Sequence, residues 1–86
     1  METIYIVIVT STDNFTWDYV DVETFPCETM ERAIELFNKN SNAIAEDFND
    51  VDKEFLHVNK SEMRHEYIDT FSGKFSEVKL VVKAIN

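Results

Sequence analysis

Near the start of the chain, residues 3–10 read TIYIVIVT. Nearly all of these side chains are β-branched or aromatic, which is the composition of a β-strand. Side chains alternate between the two faces of a strand, and here both faces are apolar. One face carries Ile4, Ile6 and Ile8, and the other carries Tyr5, Val7 and Val9. A strand of this kind is typical of sheets that are covered on both sides.

Residues 29–49 carry the clearest periodic pattern in the chain and predict one long amphipathic helix. A set of mostly apolar side chains falls within an arc of about 120° on a helical projection: Met30, Ala33, Ile34, Phe37, Ser41, Ile44, Ala45 and Phe48. The stripe expected to pack on the sheet consists of Met30, Phe37, Ile44 and Phe48. Thr29 is a suitable N-cap. Residues 38–42 are poor helix formers, so two shorter helices that meet near Asn40 are the alternative.

A second strand is predicted over about 15–24, ahead of the helix. It would form an antiparallel hairpin with the first strand through turn-forming residues at 11–14, and Pro26 would end it. The side chains of Phe15, Trp17 and Tyr19 would share one face, with Thr16, Asp18, Val20 and Val22 on the other.

Three further strands are predicted after the helix, over about 54–58, 62–71 and 76–85. A helix over 61–68 is the alternative for the middle segment. The only glycine, Gly73, lies where a tight turn before the last strand requires a positive φ. In the last strand the expected inward residues are Val78, Leu80, Val82 and Ala84, and the expected outward residues are Glu77, Lys79 and Lys83.

The order ββαβββ therefore predicts a single α+β domain over residues 1–86. One long amphipathic helix would pack on one face of an antiparallel sheet of about four or five strands. The length of 86 residues fits one modest hydrophobic core.

Charge is unevenly distributed along the chain. The 17 acidic and 8 basic side chains give a net charge of −9. Residues 1–52 carry 12 acids and two bases, a net charge of −10, whereas residues 53–86 carry five acids and six bases, a net charge of +1. Binding to phosphate groups depends on clustered Lys and Arg side chains, and the sequence has no such cluster. We therefore expect no direct binding to nucleic acid or to a membrane.

The remaining composition predicts a cytoplasmic protein. Cys27 is the only cysteine, so no internal disulfide can form. The longest apolar run, residues 4–9, is too short to span a bilayer. The first residues, Met1, Glu2 and Thr3, lack the basic region of a signal peptide.

Three patterns resemble chemical sites, and each lacks an essential residue. The stretch from His65 to Asp69 has an aspartate where a zinc-binding HExxH helix needs its second histidine. A calcium loop that started at Asp50 would need glycine where Phe55 stands. Cys27 precedes the helix, but neighbouring glutamates oppose a thiolate there. We therefore expect no enzymatic activity, no cofactor and no metal.

Acidic side chains on the outward face of the helix and on the hairpin predict a surface that binds another protein. The candidate residues are Glu28, Glu31, Glu35, Glu46 and Asp50 around the helix, and Asp18, Asp21, Glu23, Trp17 and Tyr19 on the hairpin. A partner with a basic, nucleic-acid-binding groove would suit such a surface. In size and composition the chain resembles the small acidic inhibitors of phages and mobile elements, including some anti-restriction and anti-CRISPR proteins. That resemblance implies an inhibitor that blocks such a groove.

The alternative is a homo-oligomeric accessory or structural protein whose charge only keeps it soluble. The first strand bears on this choice, because one helix can cover only one face of a sheet. The second face could be covered by a twisted sheet or by the loop at 50–61, by a second copy of the chain, or by a different protein. Two of these three arrangements involve association, so we expect a protein-binding role, with a homodimer as one form of it.

Overall fold

The computed structural model describes residues 2–13 and 20–85 of the chain. The elements are β1 (Glu2–Thr12), β2 (Asp21–Cys27), α1 (Met30–Asp47), β3 (Leu56–Lys60), β4 (Arg64–Asp69) and β5 (Phe75–Ile85). The strands form one antiparallel sheet in the order β2-β1-β5-β4-β3. Helix α1 packs on one face of this sheet, mainly against β5 and β1. The predicted ββαβββ order and α+β class are confirmed.

Strand β1 lies inside the sheet, between β2 and β5. Val7 pairs with Phe25 of β2 and with Leu80 of β5. The side chain of Val7 is fully buried and belongs to the core beneath the helix. Tyr5 and Val9 share this face and pack against the same core. The three isoleucines of β1 therefore lie on the opposite face, away from the helix.

Helix α1 is one continuous helix, so the alternative of two shorter helices is wrong. It is capped by Thr29, whose hydroxyl accepts a hydrogen bond from the Arg32 N–H at 3.2 Å. The poor helix formers in its middle are held by specific contacts, because the Asn40 side chain donates to the Leu36 carbonyl at 2.8 Å and Ser41 is buried against the sheet. Tertiary packing thus outweighs the weak intrinsic propensity of this segment.

The predicted core stripe of the helix is confirmed for all four of its residues. Phe37, Ile44 and Phe48 are buried, and Met30 packs against them. Ile34 belongs to the predicted apolar arc but not to this stripe, and it is exposed. Leu36 also packs against the core. It lies outside the predicted apolar arc, next to Ala33, so the sequence pattern did not predict this contact.

The prediction for β2 was wrong in its bounds. The strand runs through Pro26, which pairs with Ile6, and Ser11 and Thr12 belong to β1 rather than to a turn. Because β2 is an edge strand, the missing N–H of a proline costs no ladder hydrogen bond on its open side. The predicted face assignments of residues 15–19 lie outside the described residues.

Strands β3, β4 and β5 confirm the three predicted strands, with β3 shifted by two residues and β4 shorter than expected. The alternative of a helix over 61–68 is wrong. Gly73 has a φ of 80°, as its turn was predicted to require.

Three side chains of β5 differ from their predicted environments, and one of them is Ala84, which was predicted to point inward but is exposed. Val82 lies on the helix side of the sheet but is exposed. Helix α1 begins beside edge strand β2 and crosses the sheet toward β4, so it does not cover Val82. Glu77 faces away from the helix as predicted, yet it is only 7% exposed. Its carboxylate accepts a hydrogen bond from Arg64 Nε at 2.7 Å, which compensates for its burial.

Candidate binding surfaces

The acidic side chains predicted around the helix form one exposed surface, the acidic helix face. It consists of Glu28, Glu31, Glu35, Glu46 and Asp50. Glu28 lies just before the helix and Asp50 just after it. All five side chains are exposed, because the buried stripe of α1 holds the opposite side of the helix against the sheet.

The acidic helix face also carries the exposed side chains of Arg32 and Lys39, so its five acids and two bases leave a net charge of −3. Glu35 accepts a hydrogen bond from Arg32 at 2.8 Å, in an ion pair that is exposed to solvent. Within residues 2–13 and 20–85 the other four carboxylates form no ion pair. Exposed ion pairs contribute little, so even the Glu35 pair constrains the surface weakly.

The hairpin residues are only partly located. Asp21 and Glu23 of β2 are exposed, and their partners in the register are Ser11 and Val9. They consequently lie on the same side of the sheet as α1, at the corner that the helix does not cross. Trp17, Asp18 and Tyr19 lie outside the described residues.

A cleft of about 570 Å³ extends the acidic surface at the C-terminal end of α1. Its lining is Asp47, Asp50, Val51, Asp52, Phe55, Asp69, Phe71 and Lys74. The ring of Phe71 is 74% exposed and lies 5.2 Å from the ring of Phe55. Lys74 Nζ donates to the carbonyl of Asp47 at 3.2 Å, at the negative end of the helix dipole.

The turn beside this cleft is organised by Asp69. The Ser72 hydroxyl donates to its carboxylate at 2.8 Å, and the Phe71 N–H donates at 2.9 Å. These hydrogen bonds, that of Ser72 above all, hold the pKa of Asp69 below its ordinary value. A charged Asp69 thus fixes the loop that presents Phe71.

The sequence did not predict this cleft, because its walls are far apart along the chain. The Thr70 N–H donates to the Phe55 carbonyl at 2.9 Å and joins the two loops. Neither loop carries a local pattern that indicates a site. The pairing of β3 with β4 brings them together.

The face of the sheet opposite α1 is a second candidate surface, which we call the open sheet face. Its apolar centre contains Ile4, Ile6 and Ile8 of β1, with Pro26 and Val81 on either side of Ile6. The isoleucines are only partly buried. After the helix, Val51 and Leu56 pack against the core on the helix side. The segment 50–61 therefore lies on the helix side before it continues into β3. The hypothesis that this segment covers the open sheet face is wrong.

Charges on the open sheet face are balanced. They belong to Glu2, Arg64, Glu66, Glu77, Lys79 and Lys83, three acids and three bases. Arg64 bridges Glu77 and Glu66, and the hydrogen bond to Glu77 raises the pKa of the guanidinium. The two sides of the sheet thus differ in kind, one acidic and one neutral with an apolar centre.

The residues considered for catalysis lie apart from each other. His65 of β4 contacts the helix, with its Nδ1 2.5 Å from the Ser41 hydroxyl oxygen and its ring 4.8 Å from that of Phe37. Cys27 of β2 is buried, and its thiol points to the Phe25 carbonyl at 3.5 Å. Strands β1 and β5 separate the two. In the part of the chain that the structure describes, no group of His, Cys, Asp or Glu side chains is arranged to hold a metal ion.

The environment of His65 predicts a pH-dependent stability. Burial, followed by the positive charge of Lys60 opposite it in the register, lowers the pKa of His65 below its ordinary value of 6.5. His65 has the lowered pKa in the folded chain and the ordinary pKa in the unfolded chain. At a pH between these two values the unfolded chain binds more protons than the folded one. The contribution of His65 to the free energy of unfolding should therefore be complete above pH 6.5. The free energy of unfolding should decrease as the pH drops below this value.

Urea denaturation between about pH 5.5 and 8 measures this slope. The His65→Gln variant should lose the slope, whereas His57→Gln, which changes an exposed histidine, should keep it. An identical slope in wild type and His65→Gln would show that another group is responsible.

Comparison of the chain with protein-family models, curated proteins and solved structures finds no match. No helix within residues 2–13 and 20–85 is long and apolar enough to cross a bilayer. The surfaces themselves are therefore the basis for a functional proposal.

Proposed function

We propose that this protein is a non-enzymatic binding module whose acidic helix face docks on a basic surface of another protein. One observation carries the proposal: five exposed carboxylates flank or lie on a helix that is anchored to the sheet, and only Glu35 among them is in an ion pair within the described residues. A charged surface on a rigid support keeps its geometry when a partner approaches, which favours electrostatic complementarity.

The spacing of these carboxylates suits a partner that normally binds a nucleic-acid backbone. At 1.5 Å per residue, Glu31 and Glu35 are separated by about 6 Å along the helix axis, and Glu31 and Glu46 by about 22 Å. A groove lined with Lys and Arg to receive phosphates would find negative charge at both ends of the helix here, with Lys39 between Glu35 and Glu46. Occupation of that groove would exclude the nucleic acid, so the proposed activity is inhibition by competition.

The cleft beside Phe71 would add an apolar contact to this charged surface. Asp50 belongs both to the cleft and to the acidic helix face. Aromatic side chains dominate the binding energy of many protein interfaces, whereas peripheral charges mainly raise the rate of association. Phe71 therefore serves as the anchor and the carboxylates as the steering charges.

Affinity capture with a charge-matched pair of variants tests the proposal. The immobilised protein is exposed to a bacterial lysate, and the retained proteins are challenged with NaCl and then with duplex DNA. We expect a partner that is released by salt and displaced by DNA. Its affinity for the triple variant Glu31→Gln, Glu35→Gln, Glu46→Gln should be about tenfold weaker, at about 0.5 kcal/mol per exposed ion pair.

The control variant replaces Glu2, Glu54 and Glu62 by glutamine, which removes the same total charge from exposed positions outside the helix. It should keep the partner. A partner that is indifferent to salt, or equal loss in the two variants, would contradict docking through the acidic helix face. In that case the charge would serve only solubility, as in the alternative of a homo-oligomeric accessory protein.

A further inference from the structure

We infer that the open sheet face is the contact surface between two copies of this chain. Its apolar residues reach from the sheet interior to an edge strand: Ile6 lies between Pro26 and Val81, and Val22 of β2 is 58% exposed. Ile85, at the end of β5, is exposed on the same face. Contiguous exposed apolar area of this kind marks an interaction surface.

Charge identifies the occupant as a second copy. The charged residues of the open sheet face sum to zero, so the net charge of −9 belongs to the rest of the chain. Two copies that met through the helix side would bring two strongly acidic surfaces together. Two copies that meet through their open sheet faces keep these surfaces on opposite sides of the dimer, where repulsion is weakest.

A basic partner is a poor candidate for the same face. Lys79, Lys83 and Arg64 lie on it, and its three acids only balance them. Such a partner would find no net negative charge there, while the acidic helix face offers a better site on the other side. The contact between two copies is isologous, with the same residues on both sides of a two-fold axis.

The available area predicts a reversible dimer. Strands β1 and β5 have 11 residues each, or about 36 Å, and three strands are about 14 Å wide, but Thr12 and Glu77 at one end of this face are already buried within the chain. The projected contact is therefore at most roughly 500 Å² per copy, which is at the lower limit of specific interfaces. Dissociation should consequently be measurable at ordinary protein concentrations. The two sheets would stack about 10 Å apart.

Sedimentation equilibrium over a concentration series tests the inference. We expect the mass to rise from that of one chain toward twice that value. Val22→Lys should weaken the dimer about tenfold or more, because it adds two like charges to the contact. Ile6→Lys should act more strongly. The matched control is Val58→Lys, which changes a valine that is 44% exposed on edge strand β3 but on the helix side of the sheet.

Salt distinguishes this contact from docking of a basic partner. Added NaCl screens the repulsion between the two acidic chains, so the dimer should be equally strong or stronger at high salt, whereas the docked partner should be released. Circular dichroism confirms that each variant is folded. A single-chain mass at every concentration, or equal dissociation by Val22→Lys and Val58→Lys, would overturn the inference. The proposed function would survive either result.

Discussion

Replacement of Phe48 by alanine is expected to lower the free energy of unfolding by about 3–5 kcal/mol. Phe48 caps the C-terminal end of α1 and is only 1% exposed. Its ring lies 5.7 Å from that of Tyr67 on β4, and Lys74 Nζ lies 4.8 Å from its centre. The substitution would leave a cavity where the helix end, β4 and the β4–β5 turn meet.

This loss is large for a chain of 86 residues, because a domain of such a size has a total stability of about 5–15 kcal/mol. Urea denaturation of wild type and variant measures it directly. Phe71→Ala is the matched control, since it removes the same ring from an exposed position and should cost about 1 kcal/mol, the value of its contact with Phe55. Similar losses in the two variants would show that the helix end is not a packed part of the core.

The parts of the fold that the sequence predicted are those with a strong local period. β1 is apolar at every position from Ile4 to Val9, and no other secondary structure accommodates such β-branched density as well. The buried stripe of α1 repeats at the helical period from Ala33 to Phe48. These predictions are correct because the residue type at each position depends mainly on whether that position is buried or exposed within its own strand or helix.

The parts that were wrong depend on neighbours brought close by the fold. Pro26 signals the end of a strand in isolation, yet it is harmless once β2 becomes an edge strand. Glu77 has the pattern of an outward residue, but pairing of β4 with β5 places Arg64 beside it and allows its burial. Neither outcome is visible before the strand order is known.

The candidate surfaces follow the same division. The acidic helix face could be predicted, because the outward side of a helix is fixed by the position of its buried stripe. The cleft could not, since Phe55 and Phe71 meet only through the β3–β4 hairpin. The open sheet face was anticipated from β1 alone, but its balanced charge emerges only when Lys79, Lys83 and Arg64 are placed by the register.

The two proposals are compatible in one assembly. A dimer formed through the open sheet faces would carry its acidic helix faces on opposite outer sides, because α1 packs on the other side of each sheet. Each copy would then remain free to bind its own partner molecule. Association of the copies would leave the docking charges unchanged.

The second large effect is expected from an increase in side-chain volume at Ala33. Ala33 is 0% exposed and lies on the helix face that packs against the sheet, where Val7 and Val78 are also fully buried. Ala33→Leu would force the helix away from β1 and β5 or impose strained rotamers. We expect a loss of about 1–3 kcal/mol in the free energy of unfolding.

The same substitution at Ala43 is its control, because Ala43 lies in the same helix but is exposed. Alanine and leucine differ little in helix propensity, so Ala43→Leu should change stability by less than about 0.5 kcal/mol. Urea denaturation of both variants separates packing from propensity. If Ala33→Leu were as stable as Ala43→Leu, the helix would not be in close contact with the sheet, and the acidic helix face would lose the rigid support on which its proposed docking depends.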